Sequence, residues 1–174
     1  LSFAAADTVA PADLHAAFQK NLSAKTYRAT MTDLATGKQF STVEFQAPDR
    51  YRIQAAGQTS VIANGNMYLK ANGQAIKMPM PAGTLEKFRS DAAWKQMETD
   101  TQFQDAGPTL LGTEPAHKYH WANSGKHPSS GDAWVSAKSG YVIQIETAPK
   151  GSKKGAVRVH YGDFNSAISI APPN

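Results

Sequence analysis

Between Tyr27 and Met78 apolar and polar positions alternate with period two, in short runs cut by turn residues. Tyr27–Thr32 alternates and turns at Ala35-Thr36-Gly37-Lys38; Val43–Ala47 alternates and stops at Pro48-Asp49. Tyr51–Ala55, Ser60–Ala63, Met67–Lys70 and Ala75–Met78 follow, separated by Ala56-Gly57-Gln58, Asn64-Gly65-Asn66 and Asn72-Gly73. Asn-Gly suits a type I′ turn, which needs positive φ at both central residues. Period-two alternation bounded by Gly, Asn and Pro predicts half-buried antiparallel strands, and short loops make sequence neighbours spatial neighbours. The product is a curved meander with one apolar face carrying Tyr27, Met31, Val43, Phe45, Tyr51, Ile53, Ile76 and Met78.

That face must be buried against something. Ahead of it, Pro11 and Asp13 open a helix in which Leu14, Phe18 and Leu22 repeat at i, i+4 and i+8, with Ala17 beside them. Behind it, Met78-Pro79-Met80-Pro81 breaks regular structure, and Gly83 to Met97 reads as a second helix with Leu85, Phe88 and Ala92 on one face. Strands resume at Thr109–Glu114, His117–Trp121, Asp132–Ser136, Tyr141–Glu146 and Val157–Tyr161, and Ile168-Ser169-Ile170 precedes a terminal Ala171-Pro172-Pro173. The expected fold is α+β and mostly antiparallel: an unclosed, half-open curled barrel of about ten or eleven strands, its concave face covered by the two helices. No linker or repeat divides it, so residues 11–174 form one domain behind a flexible stretch 1–10; 174 residues suffice to bury roughly 70% of the unfolded surface.

Chemistry is sparse. The chain has no cysteine, hence no disulfide, thiolate metal site or cysteine nucleophile. No serine sits in a Gly-x-Ser-x-Gly elbow and no Gly-rich phosphate loop is present. Among the five histidines only His117 and His120 are close, and on a strand positions i and i+3 point to opposite faces, which argues against a shared metal. The expectation is no catalytic residue, no metal and no cofactor. The excess of 18 Lys+Arg over 14 Asp+Glu is mild and scattered apart from Lys150-Gly151-Ser152-Lys153-Lys154, so nucleic acid is not an expected partner. That loop reads as a solvated hairpin turn, with a weak contact to anionic headgroups as the alternative. No apolar run approaches the roughly 18–20 residues that span a bilayer. At the start, Ala4-x-Ala6 reads as the cleavage site at the tail of a secretion signal.

The order of elements carries a resemblance. A helix, a hairpin, a strand closing on Pro48, a strand opening at Tyr51 and the hairpin Asn64-Gly65-Asn66-Met67-Tyr68 are followed by Trp134-Val135-Ser136-Ala137-Lys138-Ser139-Gly140-Tyr141 and by Tyr161-Gly162-Asp163-Phe164-Asn165. In that order these motifs, over residues 12 to 172, resemble the LolA/LolB-like superfamily of periplasmic lipoprotein carriers and its LppX-type relatives. The resemblance implies a periplasmic protein whose barrel cavity binds the acyl chain of a lipid or lipoprotein, with an inner-membrane donor, an outer-membrane acceptor and only transient membrane contact. It makes the eight side chains of the meander face the cavity lining, Met80, Leu85 and Phe88 the lid, and the ending through Ile168, Ile170 and Pro172 the closing strand. One departure stands out: Ala47 precedes the strand-ending proline where LolA carriers place an arginine, and Arg50 and Arg52 alternate onto the polar face. A non-enzymatic envelope interaction module with a packed core is the alternative on the same fold.

Overall fold

The computed structural model describes residues 11–81, 84 and 90–174. Helix α1 (Ala12–Ser23) precedes the strands β1 (Thr26–Asp33), β2 (Gln39–Gln46), β3 (Arg50–Ala55), β4 (Gln58–Ala63), β5 (Asn66–Ala71) and β6 (Gln74–Pro79). After helix α2 (Asp91–Thr99) come β7 (Thr101–Leu111), β8 (Glu114–Asn123), β9 (Ser129–Ser136), β10 (Val142–Pro149) and β11 (Val157–Gly162). All eleven strands form one antiparallel sheet in the order β6-β5-β4-β3-β2-β1-β11-β10-β9-β8-β7. It consists of two meanders joined where β1 pairs with β11, Met31 opposite Val159. The ends β6 and β7 do not pair with each other, so the curled sheet stays an open half-barrel.

Turn chemistry explains the first meander. Asn64 and Asn72 adopt φ of 52° and 51° and the glycines after them 72° and 77°, the double left-handed geometry that Asn-Gly supplies at low cost. In the second meander a bulge falls between Asp105 and Gly107, where Asp105 accepts the Gly107 N–H at 2.7 Å and Gly107 sits at φ 82°. The bulge lets β7 run from Thr101 rather than from the expected Thr109, with its turn at Gly112.

Opposed residues in an antiparallel pair share a face. Across the registers the inner face carries Phe103, Trp121, Tyr119, Ala133, Ile145, Val159 and Met31, and continues through Tyr27, Phe45, Tyr51, Ile62, Met67 and Met78. Helix α1 docks on this face at β10. Its Asn21 behaves like a strand neighbour, donating to the Val142 carbonyl and accepting the Val142 N–H, both at 2.9 Å. Lys20 caps the β9–β10 turn at the Ser139 carbonyl and lies over Tyr141, which stacks on Phe164. The main core gathers Leu14, Ala17, Trp94, Phe103, Tyr119, Ala133, Val135 and Val142.

The expected closing strand at Ile168–Ile170 does not form. Residues 166–171 instead run as irregular chain across the outer face of the first meander, burying Ile168 and Ile170 against Val61, Ala63 and Tyr68. The physical reason is that side chains, not a neighbouring strand, satisfy the backbone. Gln46 accepts the Ile170 N–H at 2.8 Å, Arg50 donates to the Ile170 carbonyl at 2.8 Å, and Arg52 donates to the Ser169 carbonyl at 2.9 Å. Arg50 and Arg52 do lie on the outer face, where they strap this segment down.

Beneath the strap, Glu44 accepts from Arg28 at 2.8 Å and from Arg52 at 2.5 Å, and Arg28 also reaches Asp163. The Arg28 hydrogen bond, with Arg52 adding to it, outweighs burial and holds the Glu44 carboxyl below its ordinary value. The unfolded chain therefore binds the Glu44 proton more readily than the folded one, so the interaction stabilises above the ordinary glutamate value of about 4.3 and fades as pH falls through the lower folded value. Glu44→Gln is expected to flatten the decline of the urea midpoint below about pH 4.3. Equal slopes in both proteins would exclude this role; Asp105, also held low by its His117 partner, is present in both and cancels.

Candidate ligand-binding site

The covered part of the inner face lies at β7–β10. There α1 contributes Leu14 and Phe18, α2 contributes Trp94 and Met97, and the sheet contributes Thr101, Phe103, Trp121, Ala133, Val142, Ile145 and Thr147 around an apolar pocket of about 200 Å³. Each residue follows from a local pattern. Leu14 and Phe18 are one turn apart on α1, Phe103 and Trp121 oppose each other across β7 and β8, and Ala133 opposes Ile145 across β9 and β10. Ala133 is the small position that leaves room. A second pocket of about 100 Å³ shares Phe18, Val142 and Ile145 with the first and extends past Asn21 and Leu22 to Tyr27 and Tyr161. Burial there raises the Tyr161 phenol above its ordinary range.

The eight expected lining residues share the inner face, but only Tyr27 reaches these pockets. Phe45 is fully buried between Tyr27 and Tyr51, with ring centroids 4.9 and 5.0 Å away. Met31, Val43, Tyr51 and Ile53 are half-buried. Ile76 and Met78, on edge strand β6, are 49% and 38% exposed. The inner face is thus continuous from the covered pocket to an uncovered apolar margin. Of the expected lid, Met80 is half-buried, with its N–H bonded to the Gly65 carbonyl at 2.9 Å, whereas Leu85 and Phe88 lie outside the described residues. The described part of the expected second helix is α2, which brings Trp94 and Met97 to the pocket. These two, with Phe103, Trp121, Val142 and Ile145, escaped the sequence reading as lining. Alternation at 117–121 and 141–146 was the available signal.

Polar groups fringe the pocket without meeting inside it. His117 and Asp105 pair at 2.5 Å beside Tyr119, whose ring lies 4.8 Å from the imidazole. Burial, then the charges of Asp13 and Asp105, push the Tyr119 phenol up. His120 pairs with Asp132 on the outer face, and Asp163 pairs with Arg28. His117, His120 and Asp163 thus each have a separate charged partner, Asp105, Asp132 and Arg28 respectively. Among the described residues no three His, Asp or Glu side chains come together as a metal-binding group, and no helix is long and apolar enough to cross a membrane. A larger groove of about 430 Å³ at the β2 start and the β3–β4 turn has Phe40, Ala55 and Ala56 among a mainly polar lining of Gln39, Ser41, Thr42, Gln54, Gln58 and Thr59, less suited to an apolar chain.

An open antiparallel half-barrel with helices over an apolar inner face defines the LolA/LppX-like fold. No protein-family model and no curated protein matches the chain. Among solved structures it is similar to the lipoprotein LppX of Mycobacterium tuberculosis, with a TM-score of 0.68 at 9% identity over 92% of this chain and 97% of that one. LprF of Mycobacterium bovis matches with a TM-score of 0.62 at 12% identity, covering 92% of this chain and 95% of that. A structure of the MucA/MucB complex of Pseudomonas aeruginosa matches with a TM-score of 0.51 at 13% identity, over 91% of this chain and 57% of the other. At these identities the likeness is one of fold.

Proposed function

We propose that this protein is an extracytoplasmic carrier that holds the acyl chain of a lipid or lipoprotein on the inner face of its half-barrel. The observation that carries the reading is the apolar pocket between α1, α2 and β7–β10, continuous with an apolar face running to β6. Each buried methylene contributes about 0.8 kcal/mol, so a chain can be retained with few polar contacts. In this reading the chain is seated by Leu14, Phe18, Trp94, Phe103 and Ile145 and extends over Tyr27, Met31, Val43, Phe45, Tyr51, Ile53, Ile76 and Met78. Met80, Leu85 and Phe88 close over it. The carrier works in the periplasm, without cofactor or covalent chemistry, loading from an inner-membrane donor and delivering to an outer-membrane acceptor.

The test is mass spectrometry of an organic extract of protein purified without detergent from a host that secretes it. A stoichiometric lipid is the expected result. An empty extract, together with failure to bind a fluorescent fatty-acyl probe, would favour the interaction module with a packed core. The exposure of Ile76 and Met78 on edge strand β6, whose outer edge has no strand neighbour among the described residues, is the observation that supports this second reading.

A further inference from the structure

We propose that one rim of the half-barrel is a docking surface for an anionic lipid bilayer, with loop lysines meeting headgroup phosphates and Phe40 entering between them. Such docking requires no ligand in the pocket, so it stands or falls apart from the carrier reading.

The topology gathers the charge. Antiparallel pairing puts the β1–β2 turn, the β8–β9 loop and the β10–β11 loop at one end of the sheet, although they are far apart in sequence. Backbone hydrogen bonds join them in a row: the Leu34 N–H donates to the Ala156 carbonyl and the Lys150 N–H to the Pro128 carbonyl, both at 2.9 Å. These loops carry Lys38, Lys126, Lys150, Lys153 and Lys154, all exposed. Among the described residues none of the five forms an ion pair, whereas Arg28, Arg52, Lys118 and Arg158 all do. The Asp33 carboxylate beside them is turned back on its own turn, accepting the Ala35 and Thr36 N–H groups at 2.8 and 3.1 Å. Glu98 and Asp100, at the α2–β7 corner, are the rim's acidic neighbours. Between two of the loops a pocket of about 350 Å³ is lined by Lys150 with Asn123, Ser124, Ser129 and Ser130, and no carboxylate is in its wall. An ammonium among hydroxyl and amide donors suits a phosphate. Phe40 follows Lys38 by two positions and is 47% exposed. A single exposed ring is ordinary by itself; on a basic rim it completes an interfacial anchor, the ring entering the headgroup layer while cations hold the surface. At the same end Met97 is 38% exposed and lines the apolar pocket, so a bilayer docked here faces the pocket's edge.

The experiment is vesicle flotation at low salt, with equal parts phosphatidylglycerol and phosphatidylcholine set against phosphatidylcholine alone. The protein should float with the anionic vesicles only and be released as salt rises. Replacing Lys150, Lys153 and Lys154 together by Gln should lower affinity more than about tenfold, since each lysine at such a surface is worth about fivefold. Lys25, Lys77 and Lys138, exposed and away from this rim, give a control that loses the same charge when replaced by Gln and should bind nearly as the parent does. Phe40→Ser should weaken binding at every salt concentration without changing the salt dependence. No flotation with the anionic vesicles, or equal losses in both triple variants, would overturn the docking surface. A Phe40→Ser variant that floats like the parent would overturn it too, marking a general polyanion surface that a short DNA duplex would occupy equally well. Acyl-probe titration of the same variants keeps the two readings apart: probe binding should not follow the lysines, and its absence from the unaltered protein would strike the carrier reading alone.

Discussion

Replacing Ala133 by phenylalanine is expected to cut acyl-probe binding by more than tenfold while the protein remains folded. Ala133 is buried and pairs across the inner face with Tyr119 on one side and Ile145 on the other, beneath α1. A larger side chain there has one open direction, into the pocket of about 200 Å³ that the ligand is proposed to fill. Excluding as few as two methylenes costs roughly 1.6 kcal/mol, already above tenfold in affinity. Overpacking itself costs about 1–3 kcal/mol, partly relieved here because the ring enters empty space. Fluorescence titration with a fatty-acyl probe, alongside thermal melting, reads both quantities. A folded variant that binds like the parent would remove the pocket from the proposal. Ile53→Asp, on the uncovered half of the face, completes the comparison: lost binding there would place the rest of the chain along β2–β6, and retained binding would confine it to the covered half.

Gly131→Ala is expected to destabilise the protein far more than the same change at Gly125 or Gly162, where an added methyl meets only side chains or open space. Gly131 pairs with Thr147 across β9–β10 and with Trp121 across β8–β9. A Cβ at this position would lie 1.7 Å from the Glu146 carbonyl oxygen and 3.0 Å from the Trp121 ring. The first contact is with backbone, which cannot swing aside as a side chain would, so β9 and β10 must separate locally. A cost of at least about 3 kcal/mol follows, among the larger effects of single substitutions, and it corresponds to a drop in melting temperature of roughly 6–12 °C for a chain of this size. An unchanged melting temperature would contradict the strand geometry around Gly131.

The sequence made the first meander legible because every strand there is short, alternates cleanly and ends on Asn, Gly or Pro. Tyr27, Phe45 and Tyr51 could be placed on one face, and they stack there. The covered pocket was less legible. Alternation names a face but not which part of a curled sheet the helices will cover, and that depended on Asn21 bonding to β10 and on α2 meeting β7. The strand at 101–111 was read only from Thr109, because a bulge between Asp105 and Gly107 shifts the alternation of its first half out of phase with the second. Ile168-Ser169-Ile170 alternates like a strand and is not one. Nothing local distinguishes an edge satisfied by a neighbouring ladder from one satisfied by Arg50, Arg52 and Gln46, because those partners lie more than a hundred positions away.

That separation bears on the order in which the molecule can be completed during synthesis. Arg50 is translated 120 positions before Ile170, whose carbonyl it holds. Until the later residues emerge, Val61, Ala63 and Tyr68 have no cover on their outer side, and the first-made meander is an unfinished sheet. The nascent chain cannot settle into its native state one meander at a time, since a contact of such long range pays its loop-closure cost before any stabilisation is returned. Folding is therefore a property of the whole chain, decided late, by a short strap of ordinary residues that contributes nothing to the pocket itself.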